Sequence, residues 1–218
     1  MMYDTARAAA VRTRSLLGQV LVITAGALAI AGITAYAVPA PPPLVYFGSL
    51  IGAFALIFAV SATRANPSLS LGLFYLFAVA DGVWLGPIIA RYTAIIGQAQ
   101  VAEAALTAGV GMGLLGALVY TSTFDFRRLS GLAFGALIAL VAIGIASAFF
   151  HFVQPTTYAW LVLIIFAVVT LVDFGRVRAA APYDTAVTLA LSIFLDFVNI
   201  FVALLQLFAN SSGSRRND

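Results

Sequence analysis

Long apolar runs separated by short polar segments dominate this chain. No charged residue occurs between Arg14 and Arg64, and the prolines at 39 and 41–43 divide this stretch into two runs. Five further runs follow, and all seven are continuous, whereas the strands of a membrane β-barrel would alternate. Each run is close to the roughly 20 residues with which a helix crosses about 30 Å of hydrocarbon. The pattern predicts transmembrane helices at about 16–38, 44–63, 71–91, 103–123, 130–150, 157–175 and 186–208.

The composition agrees with lipid as the solvent. Hydrophobic residues make up 63% of the 218 residues and charged residues 9%, whereas a soluble domain is nearer half apolar and a quarter charged. A soluble fold of this size would leave too much apolar surface exposed. The predicted fold class is therefore an all-α, polytopic membrane helix bundle in contact with the lipid bilayer. Residues 1–15 form its cytoplasmic N-terminal segment, 16–208 its transmembrane domain and 209–218 a polar C-terminal tail.

Missing residue types exclude several classes of protein. The chain has no Cys, and all eleven basic residues are Arg. A retinal protein needs a Lys for its Schiff base and a phosphate-binding loop needs one for its phosphates, so both are excluded. No nucleophile–base pair or metal cluster is visible, and the Arg residues lie between apolar runs. We therefore predict no enzyme activity, no resident cofactor and no nucleic-acid partner. The absence of Lys also indicates a GC-rich bacterial genome, and hence the inner membrane.

The distribution of Arg predicts the orientation of the chain. With the N-terminus in the cytoplasm, eight Arg residues fall inside and three outside. This agrees with the excess of positive charge in cytoplasmic loops. Arg215 and Arg216 then lie on the unfavourable outer side, so six spans with a re-entrant last segment remain an alternative. Small residues at helix-packing spacing predict close helix contacts, namely at Gly82/Gly86, Gly109/Gly113 and Gly131/Gly135.

Charged residues inside the apolar runs are the candidates for function. A charge at the centre of a membrane helix costs about 2.5–3.5 kcal/mol, so it persists where it is paired, hydrated or useful. Asp173 lies near the inner end of the sixth run and Asp196 ten residues into the seventh, while Arg64 closes the second. Two carboxylates together in low dielectric tend to share a proton and to titrate as a unit, whereas a nearby Arg favours their charged forms. The alternative is that each Asp bonds a neighbouring polar group and only stabilises packing.

Two further polar residues are supporting candidates. Asn199 follows Asp196 by three residues and so shares its helix face, where it could orient the carboxylate or bond another helix. Asp81 lies within the third run. It is either a second polar site or a structural Asp with its hydrogen bonds satisfied.

Three segments around these residues resemble the Bax-inhibitor-type family, also called the transmembrane Bax inhibitor motif family. The segment Gly82–Ile89 is similar to its glycine-leucine-glycine-proline helix, and Tyr120–Phe126 to the loop before its fifth helix. The third segment runs from Phe166 through Asp173 to Phe201. It is the most specific, because an Asp near the end of the sixth helix is followed by Leu-Asp-x-x-Asn-x-Phe in the seventh.

The resemblance implies a seven-helix bundle whose last helix is central, and a pH-dependent calcium leak. Carried over by position, Asp173 and Asp196 are the sensing pair, and Arg64 is the latch. Calcium would be the permeant ion, held only transiently by Asp173 and Asp196. Asp81 is not part of the family pattern. Bacterial relatives also include a modulator of a membrane-anchored protease, so a regulator that binds a membrane partner is the rival role.

Overall fold

The computed structural model describes the backbone of residues 2–214 and the side chains of residues 15–211. Within this range the chain is helical apart from short connections, and a 3-10 helix, Phe126–Leu129, precedes the fifth α-helix. The α-helices are α1 Met2–Ala37, α2 Pro43–Ala62, α3 Pro67–Ile96, α4 Gln98–Thr121, α5 Ser130–Phe150, α6 Pro155–Ala179 and α7 Ala186–Ser214.

All seven helices are long and apolar enough to cross a membrane, which confirms the predicted fold class. The re-entrant alternative is wrong, because α7 is unbroken from Ala186 to Ser214. Both α1 and α7 extend beyond the predicted limits of the membrane domain at 16 and 208, and the division into segments stays a prediction. Arg215 and Arg216 lie outside the described residues.

Helix α3 extends beyond its predicted bounds at both ends. It begins four residues earlier than predicted, at Pro67, where a proline costs no helix hydrogen bond. The Asn66 side chain accepts a hydrogen bond from the Leu69 amide at 3.2 Å and so caps this end. The helix continues through Asp81 and ends before Gly97, whose φ of 85° suits a residue without Cβ.

The described chain forms two compact units. The first contains α1, α2 and α3 as far as Arg91, together with residues 176–194. The second contains Tyr92–Gly175 and the part of α7 that begins at Leu195. In the apolar part of α7 67% of the residues are buried, compared with at most 44% in any other helix. The prediction that the last helix is central is therefore confirmed.

Glycines allow α1 and α3 to pack closely in the first unit. A Cβ built on Gly82 would lie 2.6 Å from the Ala31 carbonyl oxygen, and one on Gly86 would clash with the Val38 carbonyl oxygen. Hence only glycine fits at these two positions of α3. By contrast, a Cβ on Gly113, Gly131 or Gly135 would meet no described atom within 4 Å. The packing role predicted for those three glycines is wrong, because the same spacing also occurs on helix faces that lack a close neighbour.

In the second unit, α4 lies beside the residues that follow the two candidate aspartates. A Cβ on Gly116 would lie 3.1 Å from the Phe174 ring, and one on Gly109 would lie 3.8 Å from the Phe197 ring. Phe174 directly follows Asp173 in α6, and Phe197 directly follows Asp196 in α7. Helix α4 thus packs against both helices close to the candidate site.

We expect Gly86→Ala to destabilise the protein. Overpacking of a tight helix contact typically costs about 1–3 kcal/mol, and the Val38 backbone has little room to move. Gly113→Ala is the matched control, since its Cβ meets no described atom and Ala favours the helix by roughly 0.5–1 kcal/mol over Gly. Thermal unfolding of the purified variants in detergent measures both. Equal unfolding temperatures would contradict the packing described for α1 and α3.

Candidate functional site

Two buried carboxylates lie on consecutive helices of the second unit. Asp173 is six residues from the end of α6 and its residue is 7% exposed. Asp196 is the eleventh residue of α7 and is 2% exposed. Both take part in hydrogen-bond, ion-pair or other electrostatic interactions, as expected for carboxylates in a membrane-spanning helix, where an unpartnered charge is costly.

A side-chain hydrogen bond links α6 to α7 near their connecting loop and indicates the register of the two helices. The Arg176 guanidinium donates from Nη1 to the Ser192 hydroxyl at 3.4 Å. Asp173 precedes Arg176 by three residues and Asp196 follows Ser192 by four, so each is about one helical turn farther along the hairpin. This register supports a pairing of Asp173 with Asp196, and the pairing itself stays a prediction.

Arg64, the predicted latch, lies in the turn at 63–65 that follows α2, and its side chain is exposed. It belongs to the first unit, and among the described residues of that unit it has no ion-pair partner. The role of Arg64 as a latch for Asp173 and Asp196 therefore stays a prediction.

Asp81 lies on the buried face of α3 in the first unit. Its residue is 8% exposed, and its Oδ2 atom has no hydrogen-bond partner among the described residues. Of the four residues one turn away on the same face, Phe77, Ala78 and Leu85 are buried and apolar, and Trp84 is half-buried. The described residues thus leave Oδ2 without the partner that a structural residue with satisfied hydrogen bonds would have, and that alternative stays a prediction. The role of Asp81 as a second polar site stays a prediction as well.

Asn199 forms its described hydrogen bond within its own helix. Its Nδ2 atom donates to the Leu195 carbonyl at 2.8 Å, one turn back along α7. This bond holds the amide against the helix backbone and does not reach another helix. A supporting role for Asn199 beside Asp196 stays a prediction.

The first unit contains an ion pair that is not predicted from the sequence. Arg176 Nη2 and Asp184 Oδ1 are 2.8 Å apart, and the Asp184 side chain is 4% exposed although it lies in the loop between α6 and α7. A sequence signal for Asp184 did exist, because Asp184-Thr185 directly precedes an apolar run, as residues at a helix start do.

The fold and the buried carboxylates define an all-helical, multi-pass membrane protein with ionisable groups inside its spans. The family described as Inhibitor of apoptosis-promoting Bax1 matches residues 13–213, and the chain belongs to this family. The resemblance stated from sequence is thereby confirmed.

Relatives of the chain are bacterial. An uncharacterized membrane protein of Streptococcus pyogenes serotype M3 is 30% identical, over 78% of this chain and 76% of the relative. An uncharacterized protein of Helicobacter pylori is 25% identical, over 87% and 80%. The inner membrane protein YbhL of Escherichia coli is 28% identical, over 75% and 74%. These similarities support the assignment to a membrane protein family along most of the chain.

We expect Asp81→Val to raise the unfolding temperature in detergent. A buried polar group without a partner costs about 1–3 kcal/mol, and an apolar replacement removes that cost. Thr24→Val is the matched control, for which the unfolding temperature should fall. The buried Thr24 hydroxyl donates to the Ala190 carbonyl at 3.3 Å, and the substitution removes this hydrogen bond. A clear destabilisation by Asp81→Val would show that the carboxyl group is stabilised after all.

Proposed function

We propose that this protein is a pH-sensitive calcium leak channel gated by Asp173 and Asp196. The observation that carries the proposal is the burial of two carboxylates on consecutive membrane-spanning helices of one unit, at 7% and 2% exposure. A buried carboxylate pair tends to share one proton. Protonation therefore changes the charge in the path of a cation and the repulsion between the two helices.

The donor set suits passage of calcium better than storage. Calcium prefers six to eight oxygen ligands, and two carboxylates supply only part of such a shell. Among the described residues no group of three or more His, Asp or Glu side chains could hold a metal ion. A transient stop for a permeant ion fits this arrangement. The sequence also has no nucleotide-binding motif that would supply energy, so passive flow fits better than pumping.

The proposed setting is the bacterial inner membrane with the N-terminus in the cytoplasm. The Arg distribution favours this orientation, and YbhL, a similar protein, is described as an inner membrane protein. In this orientation the ends of α6 and α7 nearest Asp173 face the cytoplasm. The pair would then respond to cytoplasmic pH, and Arg64 would lie on the same side of the membrane as a latch.

We expect Asp173→Asn and Asp196→Asn each to flatten the pH dependence of calcium flux. Asn cannot bind a proton at these pH values, so the ratio of fluxes at acid and neutral pH should fall toward one. The measurement is calcium entry into proteoliposomes across a pH series.

Asp125→Asn is the matched control for these variants. Hydrogen bonds from Arg127, at 2.9 Å in the loop before α5, hold the pKa of Asp125 below its usual value. Asp125 therefore keeps its charge near neutral pH, and its replacement should leave the pH profile unchanged. Wild-type flux and pH dependence in both Asp173→Asn and Asp196→Asn would rule out the pair as the sensor.

The alternative function is a non-channel regulator that binds a membrane-anchored protease or another membrane partner. One observation favours it: α1 begins at Met2, and its first thirteen residues, 2–14, contain four charged positions, whereas residues 15–37 contain none. A helical extension therefore precedes the first span and offers a surface for a partner. The side chains of its Arg residues, Arg7, Arg12 and Arg14, lie outside those that the structure describes.

Deletion of residues 2–14 separates the two functions. For a regulator, we expect the deletion to abolish co-purification of a membrane protease from the native membrane. The triple variant Arg7→Gln, Arg12→Gln and Arg14→Gln is the control that keeps the length of the segment. If partner recovery is unchanged and the deletion leaves calcium flux intact, the N-terminal segment is not the docking element.

A further inference from the structure

Arg176 joins three parts of the α6–α7 hairpin. From the last turn of α6 its guanidinium donates to Asp184 in the connecting loop at 2.8 Å and to Ser192 on α7 at 3.4 Å. Bonds between a guanidinium and a carboxylate are about twice as strong as neutral hydrogen bonds. Because the Asp184 side chain is 4% exposed, loss of its partner would leave a buried charge unpaired. We call Arg176, Asp184 and Ser192 the hairpin clamp.

The loop that carries Asp184 is fixed at both ends. After α6, Ala180 has a φ of 48°, which an alanine adopts only where its surroundings impose it. Before α7, the Thr185 hydroxyl accepts from the Thr188 amide and the Thr188 hydroxyl accepts from the Thr185 amide, at 3.2 and 3.1 Å. This reciprocal capping defines where α7 starts. Because both ends of the loop are held, a displacement of Asp184 would also move the first turn of α7.

We propose that Arg176 is a positioning residue that sets the register of α6 against α7, so that Asp173 faces Asp196. Asp173 lies three residues before Arg176 on the unbroken helix α6, and Asp196 lies four residues after Ser192 on the unbroken helix α7. A change of register at the clamp would therefore be carried along each helix to its aspartate. This proposal rests on the proposed function in one respect: Asp173 and Asp196 matter because they are the proposed pH sensor. The register itself follows from the contacts of Arg176.

The test uses thiol cross-linking in a chain that contains no natural Cys. The pair Thr170→Cys and Asn199→Cys lies a further turn along the same register. Both side chains bond their own helix, Thr170 to the Phe166 carbonyl at 2.7 Å and Asn199 to that of Leu195 at 2.8 Å. Their replacement therefore removes no described bond between helices. The off-register control is Thr170→Cys with Ala203→Cys. Position 203 lies about 6 Å beyond position 199 along α7, at 1.5 Å per residue.

We expect mild oxidation, or a short bifunctional thiol reagent, to cross-link 170 to 199 and not 170 to 203. Adding Arg176→Gln or Asp184→Asn should reduce the 170–199 product several-fold, and the charge swap Arg176→Asp with Asp184→Arg should restore it. Asp125→Asn, which breaks the ion pair of the α4–α5 loop, should change nothing. Arg176→Lys provides a milder variant if Arg176→Gln does not fold, as judged by size-exclusion chromatography and thermal unfolding.

Three results would overturn the proposal. One is failure of the 170–199 pair to cross-link when the clamp is intact. Another is an undiminished yield in folded Arg176→Gln and Asp184→Asn, even with a lower unfolding temperature, because a merely stabilising ion pair would behave in this way. The third is failure of the charge swap to restore the product. Cross-linking needs no calcium flux, so a failure of the channel assignment would appear in the Asp173→Asn and Asp196→Asn fluxes and not in this experiment.

Discussion

Placing a carboxylate inside hydrocarbon costs about 2.5–3.5 kcal/mol on insertion scales, and this cost organises the protein. Asp81, Asp173 and Asp196 all lie in membrane-spanning helices and all are buried. A helix that carries such a group avoids lipid at that position, so burial among neighbouring helices follows from the charge as well as from packing. The most buried helix, α7, carries the most buried of these three residues.

The rest of the candidate site depends on how α6 and α7 are held. Phe174 and Phe197, which directly follow the two aspartates, contact glycines of α4. Two residues after Phe174, Arg176 bonds the connecting loop and α7 within the first unit. The contacts of Phe174 and Phe197 hold α6 and α7 against α4 within the second unit, directly beside the two aspartates. A pair that responds to a proton needs such support, because a small change in the separation of two like charges in low dielectric changes their interaction strongly.

Sequence alone predicted the class of fold, because seven runs of apolar residues at membrane length leave few other structures that satisfy the backbone in lipid. It also predicted the family and the helices that carry Asp173 and Asp196. It could not separate Gly82 and Gly86, which contact α1, from Gly131 and Gly135, since spacing does not reveal what a helix face meets. It did not predict Asp184, because a carboxylate in a loop is usually solvated, and the burial of Asp184 beside Arg176 is evident only in three dimensions. The missing hydrogen-bond partner of Asp81 Oδ2 is likewise a property of the packed helices rather than of the sequence.

The central claim is that buried carboxylates couple the passage of calcium to proton binding. Calcium flux through the purified wild-type protein in liposomes, measured across a series of pH values and compared with protein-free liposomes, tests this claim most directly. The account predicts a flux above the protein-free level that changes over a limited pH range, as expected for a pair titrating as a unit. A flux equal to that of protein-free liposomes, or one that is the same at every pH, would contradict it.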